Sequence, residues 1–284
     1  MSDDKKPTQR VDLTEEKVRW DFKDKMSYGD YLSLDLILNA QALHTDQHDE
    51  MLFILIHQVS ELWLKLTLHE LQAALANVQA DNLEPAFKML ARVSKIQNQL
   101  KRTWDVLATM TPADYAAFRD SLGHASGFQS HQYRQVEFIL GNKNASMIKV
   151  YEHDAELHAM MDGILRAPSF YDESLKLLAR RGFDIPQDKL ERDFSKPYEA
   201  SPEVEKVWLK IYKDPEKYWD LYALAEKLVD VEDNFQQWRF RHMTTVKRVI
   251  GFKQGTGGTA GVGYLVKALQ LQFFPELWTV RTLM

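Results

Sequence analysis

Apolar residues return every three or four positions along most of this 284-residue chain, and no other feature constrains its fold as tightly. With successive residues about 100° apart, Phe53, His57, Leu64, Leu68, Leu71 and Leu75 fall on one stripe, which predicts a helix from about Glu50 to Ala80. Leu90, Val93, Ile96, Leu100, Trp104 and Leu107 predict a second helix over roughly 84–109. A third, over about 216–250, carries Leu228, Val231, Phe235, Trp238, His242, Val246 and Val249 on one face. Shorter helices announce themselves by their ends. In TPADYAAFRD (111–120), Thr111 can cap, Pro112 suits the first turn and Asp114 complements the helix dipole. FQSHQYRQVEFILGNKN reads as a further helix that stops at Gly141. The stretch 184–202 holds three of the nine prolines and reads as an excursion, not a domain linker. With no repeat, low-complexity tract or strand ladder in view, we expect an all-α fold built as a single large helical domain.

Composition narrows the function. Hydrophobic residues make up 45% of the chain and include seven Trp, enough for a sizeable core. A net charge of -5 gives no general attraction to nucleic acid or to an anionic membrane. The absence of cysteine excludes disulfides, iron–sulfur clusters, thiolate zinc sites and the thioether attachment of c-type haem. Any metal must therefore be held by His, carboxylate or Tyr. The longest unbroken apolar run, Met51 to Ile56, is far short of a membrane span. Residues 1–25 carry fourteen charged side chains and no apolar signal core. A cytoplasmic location is the simple expectation, with 1–25 a charged arm that is either flexible or ordered against a partner subunit, and 26–284 one helical domain.

Nine histidines are present, and none stands in HExxH or in an ExxH pair. Two lie on apolar helix stripes, His57 and His242, where an unpartnered imidazole is costly. Each is either a hydrogen-bonded core residue or a ligand; His69, phased to the surface, is neither. Zinc or non-haem iron wants two or three ligands close together, a spacing the chain lacks. A single histidine suffices where a porphyrin supplies the other donors. His242, with Phe235 and Trp238 on its face and Arg239 and Arg241 near for two propionates, meets that need, although both arginines equally suit a solvated helix edge.

Tyr115 and Arg119 are four apart and project from one side of their helix, beside Phe118. Such a pair can grip a carboxylate while the ring packs an apolar group, and it is also common on plain amphipathic surfaces. Six of the twelve glycines fall between Gly251 and Gly263. Within them GTGGTA (255–260) satisfies a loose dinucleotide pattern, but a helix precedes it and no βαβ unit surrounds it, so nucleotide binding is rejected. A mobile lid carrying Thr256 and Thr259 and a featureless connector are the two remaining readings.

Several long stretches together resemble a known family. SYGDYLSLDLIL, HDEMLFILIHQVSELWLKL, FRDSLGHASGFQSHQYRQVEFILGNKN, VDVEDNFQQWRFRHMTTVKRVIGFKQGTGGTAGVGYL and FFPELW look like the compact bacterial type of the tryptophan 2,3-dioxygenase family, from about Met26 to Trp278. The charged arm and the region around 184–215 show little likeness. The resemblance implies a helical bundle with a pocket for one haem b per subunit, assembled as a homotetramer. It also implies a dioxygenase that inserts O2 across the C2–C3 bond of L-tryptophan to give N-formyl-L-kynurenine, the first step of the kynurenine pathway.

By motif position, His242 would be the proximal iron ligand and His57 the distal histidine at the indole nitrogen, as base or as hydrogen-bond partner. Phe53 would pack the ring, and Ile54, Leu55 and Ile56 would wall its slot. Tyr115 and Arg119 would hold the substrate carboxylate, and Thr256 would meet the ammonium and carboxylate as the loop closes. Tyr28, Tyr31 and Leu32, on a helical N-terminal segment exchanged between subunits, would reach a neighbour's pocket. Two other classes stay open on the residues alone: a haem carrier without oxygenase activity, and a helical scaffold whose core histidines are structural.

Overall fold

The computed structural model describes residue 11 and residues 13–284. Of the charged arm expected over 1–25, residues 1–10 and 12 lie outside the described residues. The chain groups into two units, 1–42 and 43–284.

The first unit contains α1 (Tyr28–Leu32) and α2 (Leu34–Leu38). Ser27 caps α1 through a reciprocal pairing with Asp30, and Ser33, in a left-handed conformation, separates the two helices. Neither helix buries a residue: Tyr28 and Tyr31 are 75% and 74% exposed.

The second unit is helical throughout its described residues, with no strand. Its three longest elements are α3 (His48–Gln79), α4 (Leu83–Leu107) and, later in the chain, α11 (Trp219–Ile250). A turn at Ala80–Asn82, with Asp81 at φ +57°, reverses the chain between α3 and α4. α4 packs against both α3 and α11 and is the common neighbour of the site described below. Its stripe residues Leu90, Val93, Ile96, Leu100, Trp104 and Leu107 are all buried, each such side chain contributing about 1.5–3 kcal/mol of burial if fully removed from water.

Next come α5 (Pro112–Phe118), α6 (His131–Leu140), α7 (Ala155–Arg166), α8 (Phe170–Arg180) and the short α9 (Gln187–Leu190), which sits inside the proline-rich excursion. Thr111 and Asp114 form the capping box expected before α5, but the α-helix gives way at Arg119 to a 3-10 turn over Arg119–Leu122. Gly141 ends α6 at φ +125°, where an added Cβ would meet Ser169 and the Phe273 carbonyl. α10 (Pro202–Lys213), α12 (Val262–Ala268) and α13 (Pro275–Thr279) complete the unit. The main core joins α3, α4, α8, α10 and α11 around Leu71, Leu90, Trp208 and Leu228.

α3 is, by length and composition, apolar enough to cross a membrane, which the short run Met51–Ile56 does not reveal. Leu64, Leu68 and Leu71 are buried, whereas Met51, Leu55, Val59, Leu62 and Leu66 form an exposed apolar line on the same helix.

Candidate active site

The two histidines singled out by helical phase line one cavity of about 260 Å³ within the second unit. His57 comes from α3, His242 from α11, and Trp104 of α4 touches both rings. Phe53 is one helical turn before His57, with their ring centroids 4.2 Å apart, and it packs on Tyr115 and Phe118 of α5. The far wall is built by Tyr133, Arg134 and Glu137 of α6, Arg239 of α11, and Tyr264 and Ala268 of α12.

The two imidazoles are held differently. His57 Nδ1 lies 2.7 Å from the Phe53 carbonyl, an atom that can only accept, so the proton is on Nδ1 and Nε2 keeps its lone pair. Burial pushes the pKa of His57 below its ordinary value, against smaller opposing contributions from that hydrogen bond and from Glu61. His242 makes no hydrogen bond to the described residues. Burial, seconded by the charge of a protonated His57, pushes its pKa down to about 4. It is neutral near pH 7, with a free nitrogen lone pair in a cavity.

A charged network borders the same cavity. Glu137, 2% exposed, accepts from Arg134, from Arg239 at 2.8 Å and from the Tyr133 hydroxyl at 2.9 Å. Two buried guanidiniums thus share one carboxylate, leaving a formal charge of +1 in a dry wall. Arg134 Nε, Arg239 Nε, Trp104 Nε1 and the Thr245 hydroxyl are all buried on that cavity without a partner. Unmet donors and the excess guanidinium of this network suit an anionic, acceptor-bearing ligand beside His242, while the second carboxylate on the lining, Glu61, acts on His57. Among the described residues no group of three His, Cys, Asp or Glu is placed to hold a metal ion. One histidine, unmet donors and aromatic walls therefore fit a metallo-macrocycle with acid side chains better than a bare metal. Arg241 is outside this wall, ion-paired with Asp105 at 2.7 Å, in keeping with the other reading of it, a solvated helix edge.

The glycine-rich stretch roofs the cavity. Gly251, at φ +63°, ends α11, and the chain then turns tightly through Gly255, whose N–H donates to the Thr259 carbonyl at 3.2 Å. At Gly257 an added Cβ would come within 2.8 Å of Ser126, so only glycine lets the loop lie against that segment. The Thr256 hydroxyl donates to the Ala125 carbonyl at 2.7 Å, and Arg119 donates to the Gln254 carbonyl at 2.7 Å. The sequence left a lid and a connector both open; in the structure Gly255, Thr256, Thr259 and Gly261 form part of the cavity wall.

The remaining expected site residues divide. Tyr115 and Thr256 line the cavity. Burial pushes the Tyr115 phenol upward in pKa, with Arg119 opposing. Arg119 is beside the cavity, not on its lining, with its Nε buried and unmet. Ile54, Leu55 and Ile56 are not on its lining: Leu55, midway between the inward-facing Phe53 and His57, turns outward by helical phase, and Ile54 and Ile56 flank that inward face. Leu55 instead borders a separate surface depression with His44 and Met51, and Ile56 packs behind Phe53. Tyr28, Tyr31 and Leu32 belong to the first unit. Trp104, Ser126, Arg134, Glu137 and Thr245 were not foreseen as site residues. The available signal was a run of polar side chains in QYRQVEF, on a helix that turns out to be almost wholly buried.

The sequence model of tryptophan 2,3-dioxygenase matches residues 14–284. The chain belongs to the tryptophan 2,3-dioxygenase family. Its relatives bearing that name include a protein of Bacillus cereus, 57% identical over 95% of this chain and 97% of the relative, and one of a Polaromonas species, 60% identical over 94% and 91%. A third, from Bordetella parapertussis, is 57% identical over 97% of this chain and 98% of its own. In this family member the matched span takes in every wall of the cavity, from Phe53 to Leu271.

Proposed function

We propose that the cavity is the active site of a haem-dependent tryptophan 2,3-dioxygenase, which inserts both atoms of O2 across the C2–C3 bond of L-tryptophan to give N-formyl-L-kynurenine, the entry step of the kynurenine pathway. The observation that carries this reading is the pairing in one cavity of a neutral, hydrogen-bond-free His242 with a His57 whose tautomer is fixed.

Haem b, when bound, supplies the iron and the oxygen chemistry. His242 is the residue that would ligate it, and Arg134, Arg239 and Thr245 offer donors for its acid groups. A tetrapyrrole needs more room than about 260 Å³, so the lining, which includes the glycine loop and α12, would have to move apart to admit it. His57 presents Nε2 as an acceptor for the indole N–H, while Phe53 packs the ring. Arg119 and Tyr115 hold the carboxylate: the guanidinium keeps an unmet Nε for it. Thr256, whose proton is spent on Ala125, turns oxygen lone pairs to the ammonium. The closed loop excludes water, and the fixed side chains contribute orientation.

The same reading makes 26–284 the catalytic domain, 1–25 a charged arm, and the enzyme a cytoplasmic homotetramer without nucleic-acid or membrane partners. Exposed Tyr28 and Tyr31, offered to a neighbouring subunit's pocket along with Leu32, and the apolar line on α3 support assembly.

An absorption spectrum of the reduced protein, before and after adding tryptophan and oxygen, tests the proposal. A haem band, growth of formylkynurenine absorbance, and loss of tight haem retention in His242→Ala are expected. A normal Soret band and full turnover in that variant would refute the ligand assignment. A haem band without product would leave a carrier, and protein that stays colourless with haem supplied would leave a scaffold.

A further inference from the structure

We propose that Trp104 is a positioning residue for His242, fixing the plane of that imidazole by stacking in place of a hydrogen bond. The inference rests on the reading that His242 ligates haem iron. Proteins ordinarily orient a metal-ligating histidine by having its second ring nitrogen donate to a carbonyl or carboxylate, which also makes the ligand more electron-rich. His57 follows that habit through the Phe53 carbonyl. His242 does not: neither ring nitrogen has a partner among the described residues.

Its ring instead lies on the Trp104 indole, with centroids 4.4 Å apart and planes 12° from parallel. Trp238, one turn earlier on α11, approaches the same ring at 5.5 Å and 40°, and the two indoles touch at 5.9 Å. Trp104 is itself held fast, its neighbours on the α4 stripe, Leu100 and Leu107, being buried. Its edge also meets His57, at 6.5 Å and 87°, so a single indole abuts both imidazoles. A ring clamped this way cannot rotate about its Cβ–Cγ bond without losing the stack. It also receives no electron density from an anionic partner, and so stays a neutral, moderate donor.

The test compares reduced holoenzyme carrying Trp104→Leu or Trp104→Phe with the parent. Resonance Raman spectroscopy reads the iron–histidine stretch, and transfer of haem to excess apo-globin reads its retention. Trp104→Leu should shift or broaden the stretch and speed haem loss about tenfold, the scale of one lost aromatic contact, while Trp104→Phe stays within about twofold of the parent. A leucine variant with the parent's stretch and rate would overturn the inference and leave the haem reading standing. A parent that takes up no haem would overturn both.

Should Trp104→Leu fail to fold, the apoprotein of the parent decides. With isotope-labelled histidine, the ring protons of His242, assigned by their loss in His242→Gln, should be displaced upfield by the indole ring current relative to exposed His69. Unshifted resonances would overturn the stacking role.

Discussion

The hydroxyl of Thr256 donates to the carbonyl of Ala125 across 2.7 Å, and this bond ties the glycine-rich cover to the segment that also carries Ser126. Thr256→Val keeps the shape and removes the donor. We expect KM for tryptophan to rise about threefold to tenfold, the scale of one net hydrogen bond, with a smaller change in kcat. Gly257→Ala should do more, because its Cβ cannot share space with Ser126. Steady-state kinetics checks both, and an unchanged KM in the two variants would mean that the cover plays no part in binding.

His57 gives a pH prediction whose sign is set by its surroundings. Burial holds its pKa below the ordinary 6.5, so the neutral ring with a bare Nε2 persists as the pH falls through that value. Protonation would convert the acceptor into a donor and clash with the indole N–H. The kcat/KM profile should therefore stay flat through pH 6.5 and decline only at lower pH. A decline centred at or above 6.5 would contradict the assignment. His57→Ser should lower the rate at every pH and leave a pocket that still binds haem.

Arg119 already spends one nitrogen on the Gln254 carbonyl, so the proposed carboxylate clamp would also latch the loop. Arg119→Ala should raise KM for tryptophan by about tenfold to a hundredfold, as expected for charge-assisted bonds. Tryptamine, which lacks the carboxylate, should bind the unaltered enzyme poorly and be almost indifferent to the substitution. Equal binding of tryptamine and tryptophan by the parent would remove the clamp.

Glu137 is the sole carboxylate between Arg134 and Arg239. Glu137→Leu leaves two buried guanidiniums without their shared carboxylate, so apoprotein stability should fall by about 3–5 kcal/mol in chemical denaturation. Adding haem should recover part of that loss if its acid groups meet the same arginines. A variant as stable as the parent would show that water reaches this wall.

Much of this architecture was legible in the sequence. The stripes of α3, α4 and α11 specified the three longest helices to within a few residues, and Thr111, Pro112 and Gly141 marked shorter ones. His57 and His242 stood out because imidazole is an unusual choice on an apolar stripe. Trp104 did not, since a helical period reports which side faces inward and cannot tell a core from a cavity wall. The same period turns Leu55 away from Phe53 and His57, whereas placing Ile54, Leu55 and Ile56 by motif position puts all three on the slot. Arg239 and Arg241 are two residues apart and so diverge on a helix, one into the buried network and one to Asp105. Glu137 pairs locally with Arg134 at i,i+3, but its second partner was hidden, since Arg239 comes from another helix far along the chain.

The arrangement of α4 between α3 and α11 has a consequence for how such a chain can change. The two imidazoles ride on separate helices that both pack on one intermediary, so their separation is governed by the girth of side chains that neither histidine's own helix supplies. Altering the reach of the enzyme toward bulkier or slimmer indoles would then be a matter of resizing that intermediary, while the reactive groups themselves stay untouched.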